Sequence, residues 1–237
     1  MNTSKIFIGY TQAKSLLSRA EIKLEEELSK AGSLRKSDLS LEFIKASYKY
    51  DDYRDLYKTA RDNLDYNFLL NDGSIFQFGY ETDPSENIVD LRYAFYEAPA
   101  IIIPYEEFLH EQGLDIQECG DAFFEEYTQY VSESDFKKHI TNIRYDFSIN
   151  QYSALIHPVS HIHIGQDNQI RLPVSFIMTP ANFVAFIIRH IYWEKWIQAL
   201  TDEKFKRLYL DCYKAEPKLT QKLHTVEEKF DIHFSYN

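Results

Sequence analysis

Several kinds of residue are scarce in this sequence, and each scarcity excludes a class of protein. The 237 residues include 2 cysteines with no CxxC spacing, which excludes a disulfide scaffold or a zinc knuckle and predicts a reducing, cytoplasmic setting. The 7 glycines and 7 prolines are too few for a sandwich rich in tight turns or for a low-complexity linker. We therefore expect a single domain that spans residues 1–237.

Basic residues are also in the minority. The chain has 26 Lys and Arg against 37 Asp and Glu, a formal net charge of −11, whereas nucleic-acid binding proteins usually present a basic face to the phosphates. The same charge disfavours binding to anionic membranes. The longest apolar stretch, residues 174–193, is interrupted by Thr179-Pro180 and by Arg189-His190, so we expect no membrane span. The first residues also lack the apolar run of a signal peptide.

Several catalytic motifs are missing. The sequence has no glycine-rich phosphate loop, no Walker lysine, no GxSxG elbow and no HExxH pair. These absences exclude nucleotide hydrolases with a phosphate loop, Rossmann oxidoreductases and α/β-hydrolases. Any chemistry must come from a different arrangement of side chains.

Apolar and aromatic residues, by contrast, are plentiful. With 44% hydrophobic residues, 17 Phe and 18 Tyr, the chain can bury a substantial core. The pattern of apolar residues predicts an α+β fold with an antiparallel sheet of about five strands, covered by helices on one face. Residues 1–63 are expected to be helical, and residues 64–237 to contain the sheet and C-terminal helices.

Periodicity and turn residues assign the individual elements. Helical spacing predicts a helix from Thr11 to Lys30, another from about Asp51 to Asn63, and a third that Thr179 caps and that continues to about Ala199. Shorter helices are expected over residues 104–110 and 121–131. Alternating patterns and an Asp-Gly turn predict strands over residues 66–70, 75–80, 89–96, 143–147, 160–164, 170–174 and 232–234.

A histidine-rich segment carries the candidate chemistry, His157-Pro158-Val159-Ser160-His161-Ile162-His163-Ile164-Gly165. Because side chains alternate along a strand, His161 and His163 share one face, opposite Ile162. The same alternation puts Arg144 and Asp146 on one face of their strand and turns Arg171 away from its apolar neighbours. If these three strands are adjacent, one face of the sheet displays all five polar groups.

Two kinds of chemistry fit this face. In the first, His161 and His163 bind a divalent metal ion with His157 or Asp146 as the third ligand, and the metal lowers the pKa of a bound water towards about 7. In the second, no metal takes part, one histidine is the general base, another is the general acid, and the two arginines neutralise a phosphate. A purely structural histidine cluster, hydrogen-bonded to Asp146, is the third interpretation.

Several strings of this sequence carry a family resemblance: Arg144-Tyr145-Asp146, the His157–Gly165 segment, Arg171-x-Pro173, Thr179-Pro180, the hairpin at residues 72–78 and Leu91-Arg92-Tyr93. Together they resemble an uncharacterised bacterial family, domain of unknown function 2290, over most of the chain. This resemblance implies no settled activity. The Arg-Tyr-Asp string followed by His-x-His-x-Gly is also similar to small bacterial toxins of the TumE type. That likeness implies that Asp146, His161 and His163 occupy the motif positions of a toxic nuclease.

We therefore predict a phosphodiester hydrolase that acts on RNA, as the effector of a bacterial toxin or phage-defence system. Its predicted site consists of catalytic or metal-binding His157, His161, His163 and Asp146, with Arg144 and Arg171 as substrate-binding residues. A divalent metal is the expected cofactor if one is used.

The alternative prediction is a non-catalytic subunit that docks onto a larger nuclease or ATPase, encoded in the same operon. Tyrosine is favoured at interfaces, and the docking patch would consist of exposed Tyr48, Tyr50, Tyr53 and Tyr57. A sensor that binds a nucleotide or an anion through the histidine face is a further alternative.

Overall fold

A computed structural model describes residues 1–28, 38–48, 52–100, 103, 105–133, 137, 139–166, 170–214 and 218–235. Within these residues, seven antiparallel strands form one sheet, and each strand pairs with its neighbours in sequence. The predicted α+β class is confirmed, but the sheet is larger than the five strands expected. The strands are β1 Leu24–Glu27, β2 Phe68–Leu70, β3 Ile75–Thr82, β4 Ile88–Tyr96, β5 Ile143–Ser148, β6 Ser160–Ile164 and β7 Leu172–Pro173.

Helices precede the sheet, interrupt it and follow it. None of the helices in the described parts of the chain is long and apolar enough to cross a membrane. A short 3-10 helix, Glu228–Phe230, lies near the C-terminus. The α-helices are α1 Thr3–Arg19, α2 Leu41–Tyr48, α3 Tyr53–Asp62, α4 Tyr105–Glu111, α5 Ile116–Cys119, α6 Phe124–Glu133, α7 Pro180–His190, α8 Trp193–Ala199 and α9 Glu203–Lys214.

One face of the sheet forms the main hydrophobic core. Tyr93, Tyr145 and Ile162 come from three adjacent strands, are paired in register, and are fully buried. Helices α1, α7 and α9 pack over this face, and Phe183 of α7 contacts the ring of Tyr93. The alternation of the strands therefore sends their polar residues to the opposite face.

Helix α7 begins where the sequence predicts. Thr179 is the N-cap, its hydroxyl accepts a hydrogen bond from the backbone N–H of Asn182, and the Asn182 side chain accepts one from the backbone N–H of Thr179. Pro180 occupies the first turn, where its missing N–H costs nothing. The predicted continuation to Ala199 is wrong, because the helix ends at His190 and α8 begins at Trp193.

Helix α1 crosses the start of α7 at very short range, because residue 9 is glycine. A Cβ atom at Gly9 would lie 2.9 Å from both Pro180 Cδ and Thr179 Cβ. We expect Gly9→Ala to lower the free energy of unfolding by about 1–3 kcal/mol, despite the better helix propensity of alanine. Denaturant unfolding checks this, with the exposed Ser18→Ala on the same helix as the control. Equal or higher stability of Gly9→Ala would contradict the close packing.

In the described part of the chain, helices cover one end of the second face of the sheet. Helices α2 and α3 pack Phe43, Leu56 and Ala60 against Ala94 and Tyr96 of β4. Helices therefore lie on both faces, not on one as the sequence predicts. Residues of this second face on β4, β5 and β6, together with Arg171 just before β7, line a cleft.

Of the predicted patch tyrosines that the structure describes, Tyr53 and Tyr57 do not present exposed rings. Tyr48 is 77% exposed, but the hydroxyls of Tyr53 and Tyr57 donate hydrogen bonds to the carbonyls of Glu97 and Gly73. Both rings are half-buried and pack beside the α2–α3 core. Tyr50 lies outside the described residues.

The N-terminal part contains an element that local periodicity missed. The predicted helix from Thr11 to Lys30 instead begins at Thr3 and ends at Arg19, and Leu24–Glu27 form the edge strand β1 on β2. Residues 1–63 are therefore not wholly helical, and Ser29 and Lys30 lie outside the described residues. Pairing with an available sheet edge has overridden the local helical pattern.

Candidate histidine–aspartate site

The three strands on which the site prediction depends are neighbours. Asp146 of β5 is paired with His161 of β6, and Arg144 is paired with His163. His161 in turn is paired with Pro173 of β7, two residues from Arg171. Paired residues share a face, so the sheet brings the predicted polar groups together as the sequence argument requires.

Asp146, His161 and His163 form the centre of the site, and we call them the His–Asp cluster. The Nε2 atoms of His161 and His163 are 2.9 Å apart. His163 Nε2 also lies 3.3 Å from Asp146 Oδ2. All three side chains thus direct a donor atom to one point, and these atoms lie within 4.8 Å of one another.

A backbone carbonyl determines which nitrogen of His161 carries a proton. His161 Nδ1 is 2.8 Å from the carbonyl oxygen of Pro158, which can only accept a hydrogen bond. Nδ1 must therefore carry the proton, and Nε2 of the neutral ring presents a lone pair towards His163. The N–H of His163 Nε2 then lies between two acceptors, His161 Nε2 and Asp146 Oδ2.

The charges around the cluster keep Asp146 ionised. Burial alone would raise the pKa of Asp146, but the hydrogen bond from His163 and the guanidinium groups of Arg144 and Arg92 hold it well below the ordinary value. Arg144 Nε makes a 2.9 Å ion pair with Asp146 Oδ2. This negative charge is available to orient an imidazole or to bind a cation.

His161 is held in its neutral form. It is 1% exposed, and this burial lowers its pKa to about 4, although Asp146 opposes the effect. A neutral imidazole is the form that binds metals and accepts protons. His161 is therefore ready for either of the two chemistries that the sequence leaves open.

His157 lies beside the cluster rather than in it. Its ring meets the ring of His161 edge-on, with centroids 4.9 Å apart. Its pKa is lowered by burial and by the charge of Arg171. The converging donor atoms come from the His–Asp cluster, so of the two predicted third ligands the geometry selects Asp146 over His157.

An open polar cleft of about 350 Å³ gives access to the cluster. His163 and Asp146 lie on its floor, whereas the more buried His161 stands behind them. The polar cleft lies between the open sheet face and helix α2, with Tyr48 at its rim. Its lining includes three arginines, Arg92, Arg144 and Arg171.

Arg92 is a site residue that sequence reasoning missed. It lies on β4, paired with Asp146, and its buried Nε has no hydrogen-bond partner among the described residues. The signal was present in the alternation of Leu91, Arg92 and Tyr93, which turns the arginine away from the core. Its position opposite Asp146 could not be read, because strand register across a long insertion is not encoded locally.

The loop that contains Pro158 and His157 is held by hydrogen bonds to Glu228, a residue near the C-terminal end of the described chain. Buried Glu228 accepts hydrogen bonds from the Tyr152 hydroxyl at 2.9 Å, from the Thr225 N–H at 2.8 Å and from the Leu155 N–H at 3.3 Å. Leu155 has a φ of 61°, a left-handed conformation that is unfavourable for this residue type. Glu228 therefore stabilises a strained loop next to the site.

Sheet, helices and site together define an α+β protein with a histidine–aspartate cluster at the floor of an arginine-lined cleft. The sequence profile of the family described as "Uncharacterized conserved protein (DUF2290)" matches residues 24–236, and the chain belongs to this family. This confirms the predicted resemblance over nearly the whole chain. No curated protein and no solved structure gave a significant match.

Proposed function

We propose that the protein is a phosphodiester hydrolase that acts on RNA. The single observation that supports this proposal is the position of the His–Asp cluster at the floor of a cleft lined by Arg92, Arg144 and Arg171. Guanidinium groups bind phosphate oxygens through paired hydrogen bonds, and imidazoles can transfer protons or bind a metal beside them.

The cleft reverses the charge balance of the whole molecule. The chain has a net charge of −11, yet the cleft is lined by three arginines against two aspartates, Asp90 and Asp146. Asp146 forms an ion pair with Arg144, and Arg92 lies on the other side of the same carboxylate. A local basic cleft attracts a phosphate even on an acidic protein, because nearby charges dominate a site that is partly shielded from water.

Cleavage needs a nucleophile, which is the 2′-hydroxyl of the RNA or a water molecule, neutralisation of the phosphate, and a proton for the leaving oxygen. The arginines supply the neutralisation, since charge on the phosphate oxygens grows in the transition state. His163 is exposed to the cleft and is connected to both Asp146 and His161, so it is the group that would exchange a proton with the substrate or with water. RNA is preferred over DNA in this proposal because the likeness to TumE-type toxins includes these positions. The proposed setting is a bacterial toxin or phage-defence system.

Substrate binding is tested through Arg171, since Arg144 also orients Asp146. We expect Arg171→Gln to reduce kcat/KM for a labelled single-stranded RNA by about 10–100-fold, mainly through KM, because one charged hydrogen-bonding partner of the phosphate is lost. Arg207→Gln on α9, where the side chain is 86% exposed, is the matched control and should change nothing.

The proposal as a whole is tested by an RNA cleavage assay on the wild-type protein. It is incubated with RNA, with single-stranded DNA and with duplexes, in chelator and with Mg²⁺, Mn²⁺ or Zn²⁺ added. Cleavage of RNA that disappears in site variants supports a hydrolase. Intact RNA under every condition would refute the hydrolase and leave a subunit or a sensor as the function.

A further inference from the structure

We propose that Asp146, His161 and His163 bind one divalent transition-metal ion of the zinc class. The proposal names a cofactor for the hydrolase, and only the catalytic role of the ion rests on the proposed function. Binding of the ion itself rests on the geometry of the His–Asp cluster alone.

The first argument is the convergence of the donor atoms. Two nitrogens bound to one zinc ion at 2.0–2.1 Å in tetrahedral geometry lie about 3.3 Å apart. His161 Nε2 and His163 Nε2 are 2.9 Å apart, and His163 Nε2 and Asp146 Oδ2 are 3.3 Å apart. Two of the three donor pairs are therefore already near ligand spacing, with the imidazoles needing to separate by a few tenths of an ångström, and the third pair, His161 with Asp146, lies within 4.8 Å.

The second argument is the orientation of His161. Metal-bound histidines usually donate their second ring N–H to a backbone carbonyl or a carboxylate, which fixes the tautomer. His161 has this arrangement, because its Nδ1 lies 2.8 Å from the Pro158 carbonyl and its Nε2 faces the other two ligands. Asp146 is likewise oriented by a partner, Arg144 Nε at 2.9 Å.

The third argument is the direct approach of the two Nε2 atoms, His161 and His163, to each other. Two neutral imidazoles that approach through their Nε2 atoms need a proton or a cation between their lone pairs. A structural pair could use one shared proton, but a third donor, Asp146 Oδ2, approaches the same point. The N–H of His163 Nε2 can bridge His161 Nε2 and Asp146 Oδ2 without a metal, and the same three atoms, once this proton is released, match the three protein ligands of a catalytic metal site.

The ligand types select the class of ion. Two imidazoles and one carboxylate suit Zn²⁺, Co²⁺, Mn²⁺ or Fe²⁺, while Mg²⁺ and Ca²⁺ prefer sites composed of oxygen. Three protein ligands leave a further position for water or for a phosphate oxygen. His163 and Asp146 line the polar cleft, so this position would be accessible to substrate. Nearby Arg144 and Arg92 lower the affinity for a cation, so we expect weaker binding than at a closed structural zinc site.

The test measures binding without reference to activity. Untagged protein is freed of metal with a chelator and then titrated with Co²⁺ and Zn²⁺, with elemental mass spectrometry for stoichiometry and the visible absorption of bound Co²⁺ for geometry. We expect one ion per chain in the wild type. His161→Ala and His163→Ala should each weaken binding by on the order of 100-fold or more, because each removes a ligand, and Asp146→Asn should weaken it because a neutral amide oxygen is a poorer ligand than a carboxylate.

Two histidine variants serve as matched controls, because neither histidine is a proposed metal ligand. His157→Phe keeps the edge-on ring contact with His161 but removes a potential ligand, and His190→Ala removes an exposed histidine at the end of α7. Both should bind Co²⁺ as the wild type does. Loss of binding in His157→Phe with retention in Asp146→Asn would overturn the proposed ligand set.

A measurement on the wild-type protein tests metal binding without relying on variants that could fail to fold. Addition of one equivalent of Zn²⁺ should shift the imidazole resonances of His161 and His163 in nuclear magnetic resonance spectra and leave His190 unchanged. The absence of any shift, together with no bound Co²⁺, would overturn the metal site.

The outcomes also distinguish the metal site from the hydrolase. Metal binding without RNA cleavage would retain the site and refute the hydrolase. RNA cleavage by the metal-free protein in chelator, lost in His161→Ala and His163→Ala, would retain the hydrolase and refute the catalytic role of the ion, while the Co²⁺ titration decides binding.

Discussion

RNA cleavage is expected to fall by about 1,000-fold or more in the double variant His161→Ala/His163→Ala. Metal-assisted hydrolysis and metal-free acid–base catalysis both depend on this histidine pair, since it either binds the metal or transfers the proton. The loss should appear in kcat, with KM nearly unchanged, because Arg92, Arg144 and Arg171 still line the cleft. Single-turnover cleavage of labelled RNA at saturating protein measures it.

The control for this experiment must show that the fold survives. His161 is buried, so its loss leaves a small cavity, and the variant is compared with wild type by circular dichroism and thermal unfolding. His161→Gln/His163→Gln keeps more of the side-chain volume and should be equally inactive. A folded double variant that cleaves RNA at the wild-type rate would remove the His–Asp cluster from the mechanism.

The largest expected effect on stability is at Glu228. In Glu228→Ala, three donors lose a charged acceptor, namely the Tyr152 hydroxyl and the N–H groups of Thr225 and Leu155. The two short bonds, from Tyr152 and Thr225, each contribute about 1.5–3 kcal/mol and the longer Leu155 bond contributes little, so we expect the free energy of unfolding to fall by about 3–6 kcal/mol. Urea unfolding at neutral pH measures this change.

The exposed neighbour Glu227 offers a matched control. Glu227→Ala removes the same charge and volume one residue away and should lie within about 0.5 kcal/mol of wild type. Glu228→Ala should also disturb the site, because residues 152–158 carry the Pro158 carbonyl that orients His161. Wild-type stability of Glu228→Ala would show that the loop is held by other contacts.

The pH dependence of stability follows from the same carboxylate. Burial alone would raise the pKa of Glu228, but the N–H of Thr225, the Tyr152 hydroxyl and the N–H of Leu155 outweigh it and lower the pKa. Because the folded-state pKa lies below the unfolded value of about 4.3, the stabilisation is complete above that value and is lost as the pH falls through the folded-state pKa. Glu228→Gln should therefore lose less stability than wild type on acidification below about pH 4.3, and Glu227→Gln should behave as wild type.

Much of the site could be predicted from the sequence because side chains along a strand alternate between the two faces of the sheet. The alternation in residues 143–147 and 160–164 was sufficient to place Arg144 with Asp146 and His161 with His163, and the structure confirms these pairs on one face. The capped start of α7 at Thr179 and the Asp-Gly hairpin were equally local signals. Each of these features depends on residues that are close in sequence, so it can be predicted from residue type and spacing.

Other features depended on partners far along the chain. The sequence could not show that Arg92 lies opposite Asp146, since more than fifty residues separate them. It could not show that Leu24–Glu27 would leave the helical pattern and pair with β2, or that Glu228 would fasten the loop at Leu155.

The sequence by itself thus determined the α+β class, the family and the face of the strands on which Arg144, Asp146, His161 and His163 lie. Only the tertiary structure decided which donor atoms converge, and it selected Asp146 over His157 as the partner of the histidine pair. The physical reason is that periodicity assigns a side chain to a face, whereas distances across strands depend on register. Register follows from the packing of the whole sheet and its helices.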